Sequence, residues 1–158
     1  MNLVGNYFIG GYTLVSNNYP SWWDTTVTLY NKFESSTGEV TWYRTVLEGC
    51  FWKYVTDYVR TDNATEMIKV LLCRVRKNSD FLEPEEWCET DDKDSHFTFS
   101  DGDILIKGEV DDVLDEYTKG QRASDLLKKY KNRCAEIKEY SGNVGVDRVN
   151  EHYLVRGL

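Results

Sequence analysis

The stretch from Thr28 to Trp52, TLYNKFESSTGEVTWYRTVLEGCFW, limits the possible folds more than any other part of this chain. Thr26–Tyr30 alternates, with Val27 and Leu29 on one face and Thr26, Thr28 and Tyr30 on the other, as a half-buried strand does. The tip Glu34–Glu39 has the Ser, Thr and Gly chemistry of a turn, and Gly38 is free to take positive φ. Val40–Leu47 then alternates Val40, Trp42, Arg44 and Val46 with Thr41, Tyr43, Thr45 and Leu47. Neither face of that strand is wholly polar, so it can touch a core on one side and a partner on the other. Gly49 bends the chain into a further strand, Cys50–Val55. An aromatic hairpin of this kind commits the chain to a sheet, because Tyr, Trp and Phe suit a pleated, half-buried surface.

The rest of the chain extends the same theme. Residues 1–25 are rich in Gly, Asn and aromatics and are punctuated by Pro20, which predicts an arm or irregular lead-in before a single domain over 26–158. Trp22 and Trp23 are adjacent, so in an extended segment they point to opposite sides. One of them can pack in its own subunit while the other meets a neighbour. Thr56–Thr65 reads as a polar loop, Met67–Val75 as a buried strand, and Asp80–Ser95 as a long acidic excursion. Strands are expected over Asp103–Val110, Ala135–Tyr140 and Tyr153–Arg156. Between the first two of these, Ala123–Lys131 has the pattern of a helix, with Ser124 as N-cap and Lys128, Lys129 and Lys131 near its C-terminal dipole. The expected fold is mainly β, a small antiparallel barrel or sandwich with one short helix between late strands.

Charge is unevenly placed. The formal net charge is -8, which argues against a protein that grips nucleic acid through a basic face. Asp80–Glu116 alone holds fifteen acids against Lys93 and Lys107, a net of -13 that leaves +5 for the remainder. Such a segment is a solvated acidic face or a surface that repels a polyanion. The four cysteines (Cys50, Cys73, Cys88, Cys134) have neither zinc spacing nor an export signal before them, so four reduced thiols are expected. No run approaches a membrane span.

Catalytic chemistry is hard to find. His96 and His152 are the only histidines. His152 beside Glu151 is a formal acid–base pair, but no nucleophile in an elbow-like setting accompanies it. The cluster ETDDKDS lacks the spacing of a calcium loop. No phosphate-cradling or dinucleotide fingerprint occurs. The expectation is a protein that is not an enzyme and uses no cofactor or metal.

Several pieces occur together and in order: VTLYNKFESSTGEVTWYRTVLEGCFW, CRVRKN, FTFSDGDILIKGEVDD, ASDLLKKYK and a terminal NEHYLVRGL. Over roughly Thr26 to Leu158 this arrangement resembles small neck proteins encoded in the head–tail joining region of long-tailed phages and prophages of Gram-positive bacteria. Within that group the head-completion, or stopper, type is nearest. The resemblance implies a virion protein of the neck, assembled in the cytoplasm of the bacterial host. It implies a homo-oligomeric ring, a hexamer or alternatively a dodecamer, between the portal–adaptor complex and the tail completion or terminator protein. DNA would pass through without tight binding, and no membrane is involved. On this reading two segments are candidates to face the channel: the polar loop with Asp57, Arg60 and Asp62, and the acidic excursion with Glu89, Asp91, Asp92 and Asp94. Trp22, Trp23, Trp42 and Tyr43 are the candidate contacts between subunits. The competing reading is a secreted lipocalin-like barrel holding a small apolar ligand.

Overall fold

The computed structural model describes residues 6–9, 12–15, 19–145 and 150–158. Strands β1 (Asn6–Ile9) and β2 (Tyr12–Val15) form a two-stranded antiparallel sheet of their own within the expected arm. The rest of the arm up to residue 18 lies outside the described residues. Strands β3 (Thr25–Glu34), β4 (Val40–Thr61), β5 (Ala64–Arg76), β6 (Ile104–Lys107), β7 (Cys134–Asn143) and β8 (His152–Gly157) close a barrel in the order β3-β4-β5-β8-β7-β6. Every pairing is antiparallel, and β3 with β6 completes the ring. The mainly β fold expected from the sequence is the fold observed, with helix α2 (Ala123–Lys129) between β6 and β7 as its pattern predicts.

In two of the strands, successive segments serve the two different neighbours. Val40–Cys50 of β4 pairs with β3, and Phe51–Thr61 of the same strand pairs with β5. The change of partner falls at Gly49, whose φ of 67° is one that side chains rarely tolerate. A Cβ there would also lie 2.5 Å from the Arg76 guanidinium. Arg76 fills that space, donating from Nε to the Gly49 carbonyl at 2.8 Å and from Nη2 to the Trp23 carbonyl at 2.9 Å. In β7, Cys134–Glu136 pairs with β6 and the residues from Ile137 onward pair with β8, with a bulge between Ile137 and Glu139.

The inward faces of the strands bury Val27, Leu29, Leu71, Ile137 and Val155, while Phe97 and Phe99 enter from the segment before β6. Phe81 packs close against Tyr153 with the rings tilted, their centroids 4.1 Å apart. The barrel interior is thus lined and occupied by side chains. A second cluster lies on the opposite faces of β3 and β6, where Tyr30, Ile104 and Ile106 pack with Leu126 of α2. β6 is therefore buried on both sides, Leu105 facing the barrel and its neighbours facing the helix.

Three expectations are corrected here. Thr56–Thr65 is not a loop: it is the end of β4, a two-residue turn at Asp62-Asn63 and the start of β5, paired from Thr61↔Ala64 inward. The acidic excursion carries a second helix, α1 (Pro84–Glu89), with Pro at its start and Glu85 and Glu86 in its first turn. The N-cap of α2 is Arg122 rather than Ser124. Side chains satisfy the N–H groups at its start: Glu116 Oε1, from the preceding segment, accepts from Ala123 N at 3.0 Å, while Asp125 Oδ2, in the helix's own first turn, accepts from Arg122 N at 3.2 Å.

All four cysteines are free thiols. Cys50 and Cys73 are sealed in the core, and a hydrogen bond between them together with burial pushes the Cys73 thiol well above its ordinary value. Cys88 is exposed on α1. A thiol reagent should therefore label Cys88 at once, and Cys50 and Cys73 only after unfolding. Intact mass without reductant should correspond to four thiols. A mass short by one pair of hydrogens would reveal a bridge and contradict this arrangement.

Candidate functional site

The most conspicuous feature is the outer half of the β4–β5 pair. β8 accompanies β5 only from Leu71 to Arg76, whereas β4 and β5 stay paired for another seven residues each, up to Thr61↔Ala64. At a rise of about 3.3 Å per residue, the ribbon runs roughly 20 Å past the barrel. Among the described residues, neither outer edge of it has a strand partner.

Side-chain alternation gives the ribbon two different faces. Tyr58↔Met67 and Thr56↔Lys69 share the face that continues inward through Tyr54↔Leu71 and Trp52↔Cys73 to the barrel interior. Val59↔Glu66 and Asp57↔Ile68 occupy the other. Past the barrel, Tyr58 and Met67 on the interior-type face are 63% and 71% exposed among the described residues. Val59 is exposed on the opposite face, and the Lys69 ammonium sits 4.7 Å above the Tyr54 ring. At the root of the ribbon Arg156 ties it to the barrel, bonding Asp57 Oδ2 at 3.1 Å and Glu139 Oε1 at 3.3 Å. These residues help to line a cavity of about 160 Å³ where β8 ends.

The sequence-predicted channel residues divide accordingly. Asp57 is committed to Arg156 at the ribbon's root, while Arg60 and Asp62 are exposed at its tip. Glu89, Asp91, Asp92 and Asp94 are exposed on and after α1. That segment is pinned by Trp87, whose ring meets Phe33 and Tyr43 edge-on at 6.2 and 5.6 Å. Glu83 accepts a hydrogen bond from Tyr140, whose phenol is pushed up by burial and then by that carboxylate. The acidic excursion is thus fastened to the β3–β4 hairpin, whereas the ribbon is formed by the far half of β4.

The four candidate contact residues also part company. Trp22 is 65% exposed. Trp23 is buried in its own chain, stacked on Tyr19 at 5.4 Å and edge-on to His152 at 5.2 Å. Trp42 Nε1 donates to Glu116 Oε1 at 3.0 Å, and Tyr43 packs on Trp87. Trp23 is thus buried within its own chain, whereas Trp42 and Tyr43 have intrachain partners and keep part of their surface open.

A strongly perturbed carboxyl lies elsewhere. Asp103 is 1% exposed. Its Oδ2 accepts from Asn31 Nδ2 at 2.7 Å and Ser100 N at 2.8 Å, and its Oδ1 accepts from Lys32 N at 2.8 Å. Burial pushes its carboxyl up to about 7 against these donors. The donors belong to β3 and to the turn before β6, so Asp103 fastens the barrel together and has no substrate-facing position. His152 Nδ1 lies 2.7 Å from the Asn150 carbonyl, and Glu151 is held by Lys77 at 2.6 Å. No group of three potential metal ligands occurs among the described residues. No helix among them is long and apolar enough to cross a membrane.

Sequence reading missed the ribbon because its alternation is apolar on neither face alone, and it missed the Asp103 network because nothing local marks that carboxylate as buried. Pro84 and the acids after it were a usable helix-start signal. No curated protein and no solved structure matches the chain significantly. One family does match, over residues 22–158, a span that takes in the barrel, both helices and the ribbon and leaves out the N-terminal hairpin. By that match the chain belongs to a family of unknown function, DUF6751.

Proposed function

We propose that this protein is a structural component of a long-tailed phage or prophage neck, a subunit of the ring that joins the portal–adaptor complex to the tail and lines or closes the DNA channel. The observation that carries the reading is the ribbon. A small, solidly packed barrel presents a long two-stranded projection with exposed Tyr58, Val59 and Met67 at a distance from its own core. A monomer gains nothing by exposing such a surface, whereas an assembly part uses it to reach a neighbour or a channel. The acidic segment Asp80–Glu116, with a net charge of -13, suits a conduit that must let DNA slide, because phosphate contacts from Lys and Arg would hold it back.

Of the two channel candidates, the ribbon tip with Arg60 and Asp62 fits the gate better. The acidic excursion is pinned by Trp87, which leaves it little freedom to swing. In a phage carrying this gene, deleting the gene should yield DNA-leaking heads and free tails, and supplying the intact chain should restore infectious particles. Shortening the ribbon from Thr56 to Lys69 while keeping a tight turn should let heads form that lose DNA before tails attach. Normal, infectious particles from the gene deletion would refute the neck role. Tight heads from the shortened chain would place the gate elsewhere.

A further inference from the structure

We propose that copies of this chain associate edge to edge through the ribbon, the free edge of β5 (Ala64–Val70) in one copy pairing antiparallel with the free edge of β4 (Thr56–Thr61) in the next. The inference deepens the ring reading and rests on it in one respect only, that the copies are arranged cyclically.

Both edges present unpaired backbone N–H and C=O groups, which is a template for adding a strand. Of the devices with which natural proteins blunt such edges, prolines, bulges and short strands are absent from Lys53 to Arg76, while the ribbon's charged side chains are of both signs in equal number. The two edges belong to different strands, so the contact is head-to-tail, the kind that closes into a ring when the rotation allows. Direction also agrees. Ribbons that point the same way around an axis place each β5 beside the next β4 with opposite chain sense, the ladder that two-stranded units accept most readily. Rotation about such an axis keeps the faces in step, so the Tyr58 and Met67 face of every copy stays on one side.

Charge selects a second copy as the occupant. From Lys53 to Lys69 the ribbon holds three bases (Lys53, Arg60, Lys69) and three acids (Asp57, Asp62, Glu66), a net of zero on a chain of net -8. Two copies repel through most of their surface but can meet along the ribbon without that penalty. The exposed Tyr58, Val59 and Met67 supply apolar area to bury there. Added salt should screen the repulsion between bodies and strengthen the association, the reverse of what a contact between oppositely charged surfaces would do.

The test uses the full chain, with mass measured by sedimentation over a wide range of concentration and amide hydrogen exchange read in the assembled and dilute states. Wild type should form oligomers, and exchange across Thr56–Val70 should slow about tenfold or more on assembly. Tyr58→Lys and Met67→Lys should each raise the concentration needed for assembly by about tenfold or more. Val113→Lys, at an equally exposed site on the segment between β6 and α2, should assemble as wild type does. Unchanged melting of all three variants would show that folding is not the cause. Oligomers whose ribbon amides exchange freely would overturn the inference and leave the ring reading standing. A strictly monomeric wild type would overturn both. Protection of the ribbon already present in the monomer would mean that the chain's own segments cover the edge, and would also overturn it.

Discussion

Asp103→Ala should lower the unfolding free energy by about 3–5 kcal/mol, because it removes the shared acceptor of three buried donors. The reason is what the change leaves behind. Asn31 Nδ2, Lys32 N and Ser100 N all donate to this carboxylate, and each becomes a buried donor without its acceptor. Asp103→Asn should cost less, about 1–3 kcal/mol, because one oxygen survives while the new amide NH₂ sets donor against donor. The same pair of proteins tests the pH dependence. Burial raises the folded carboxyl to about 7, above an unfolded value of about 3.9. Below the unfolded value both states are protonated, and the stability linked to this group is fully present. As pH rises toward 7 the unfolded chain releases its proton first, so stability falls, by roughly 4 kcal/mol across that window. Urea unfolding between pH 4 and 8 should show wild type more stable than Asp103→Asn at pH 4, with that advantage shrinking and then reversing as pH rises. A difference independent of pH would mean that Asp103 is ionised throughout.

Trp87→Ala should have an effect of similar size. Trp87 is 1% exposed, its ring lies against Phe33 and Tyr43, and its Nε1 donates to the His96 carbonyl at 3.2 Å. Truncating a buried tryptophan costs about 3–5 kcal/mol, which for a domain of this length corresponds to a melting point lower by roughly 10 °C. The loss should be local as well as global. With its anchor gone, Asp80–Ser95 should exchange its amides faster than the barrel strands do. A variant that melts within a degree or two of wild type would show that the acidic segment is held by something else, and would return it to consideration as a moving part.

How far the sequence could be read depended on where each segment's specification lies. The β3–β4 hairpin was legible because local signals agree: Val27 and Leu29 alternate inward, and Gly38 takes the positive φ of 82° that its turn requires. α2 was legible from Leu126, Leu127 and its basic last turn, although its N-terminal N–H groups meet Asp125 in its own first turn and the more distant Glu116 rather than Ser124. The segment Thr56–Thr65 was misread because strand and loop were separated by polarity. An extended ribbon wet on both faces need not alternate cleanly, and its strand state is set by cross-strand partners that a single run of residues does not display. The candidate site followed the same logic. Arg60 and Asp62 are exposed at the ribbon tip, and Trp23, Trp42 and Tyr43 have partners within the chain through contacts long in sequence and invisible to periodicity.

The unbroken course of β4 has a mechanical consequence. Because one strand of 22 residues runs from the β3 hairpin through Gly49 to the ribbon tip, a pull on the tip along its length does not peel hydrogen bonds open one after another. It loads the β3–β4 ladder (Thr25–Glu34 against Val40–Cys50) and the β5–β8 ladder (Leu71–Arg76 against His152–Gly157) in shear, all rungs together. A sideways push on the same tip meets only the two-stranded ribbon, which bends. The projection is therefore stiff to tension and compliant to deflection, so that it can be displaced repeatedly by something moving past it without being torn from the barrel that holds it.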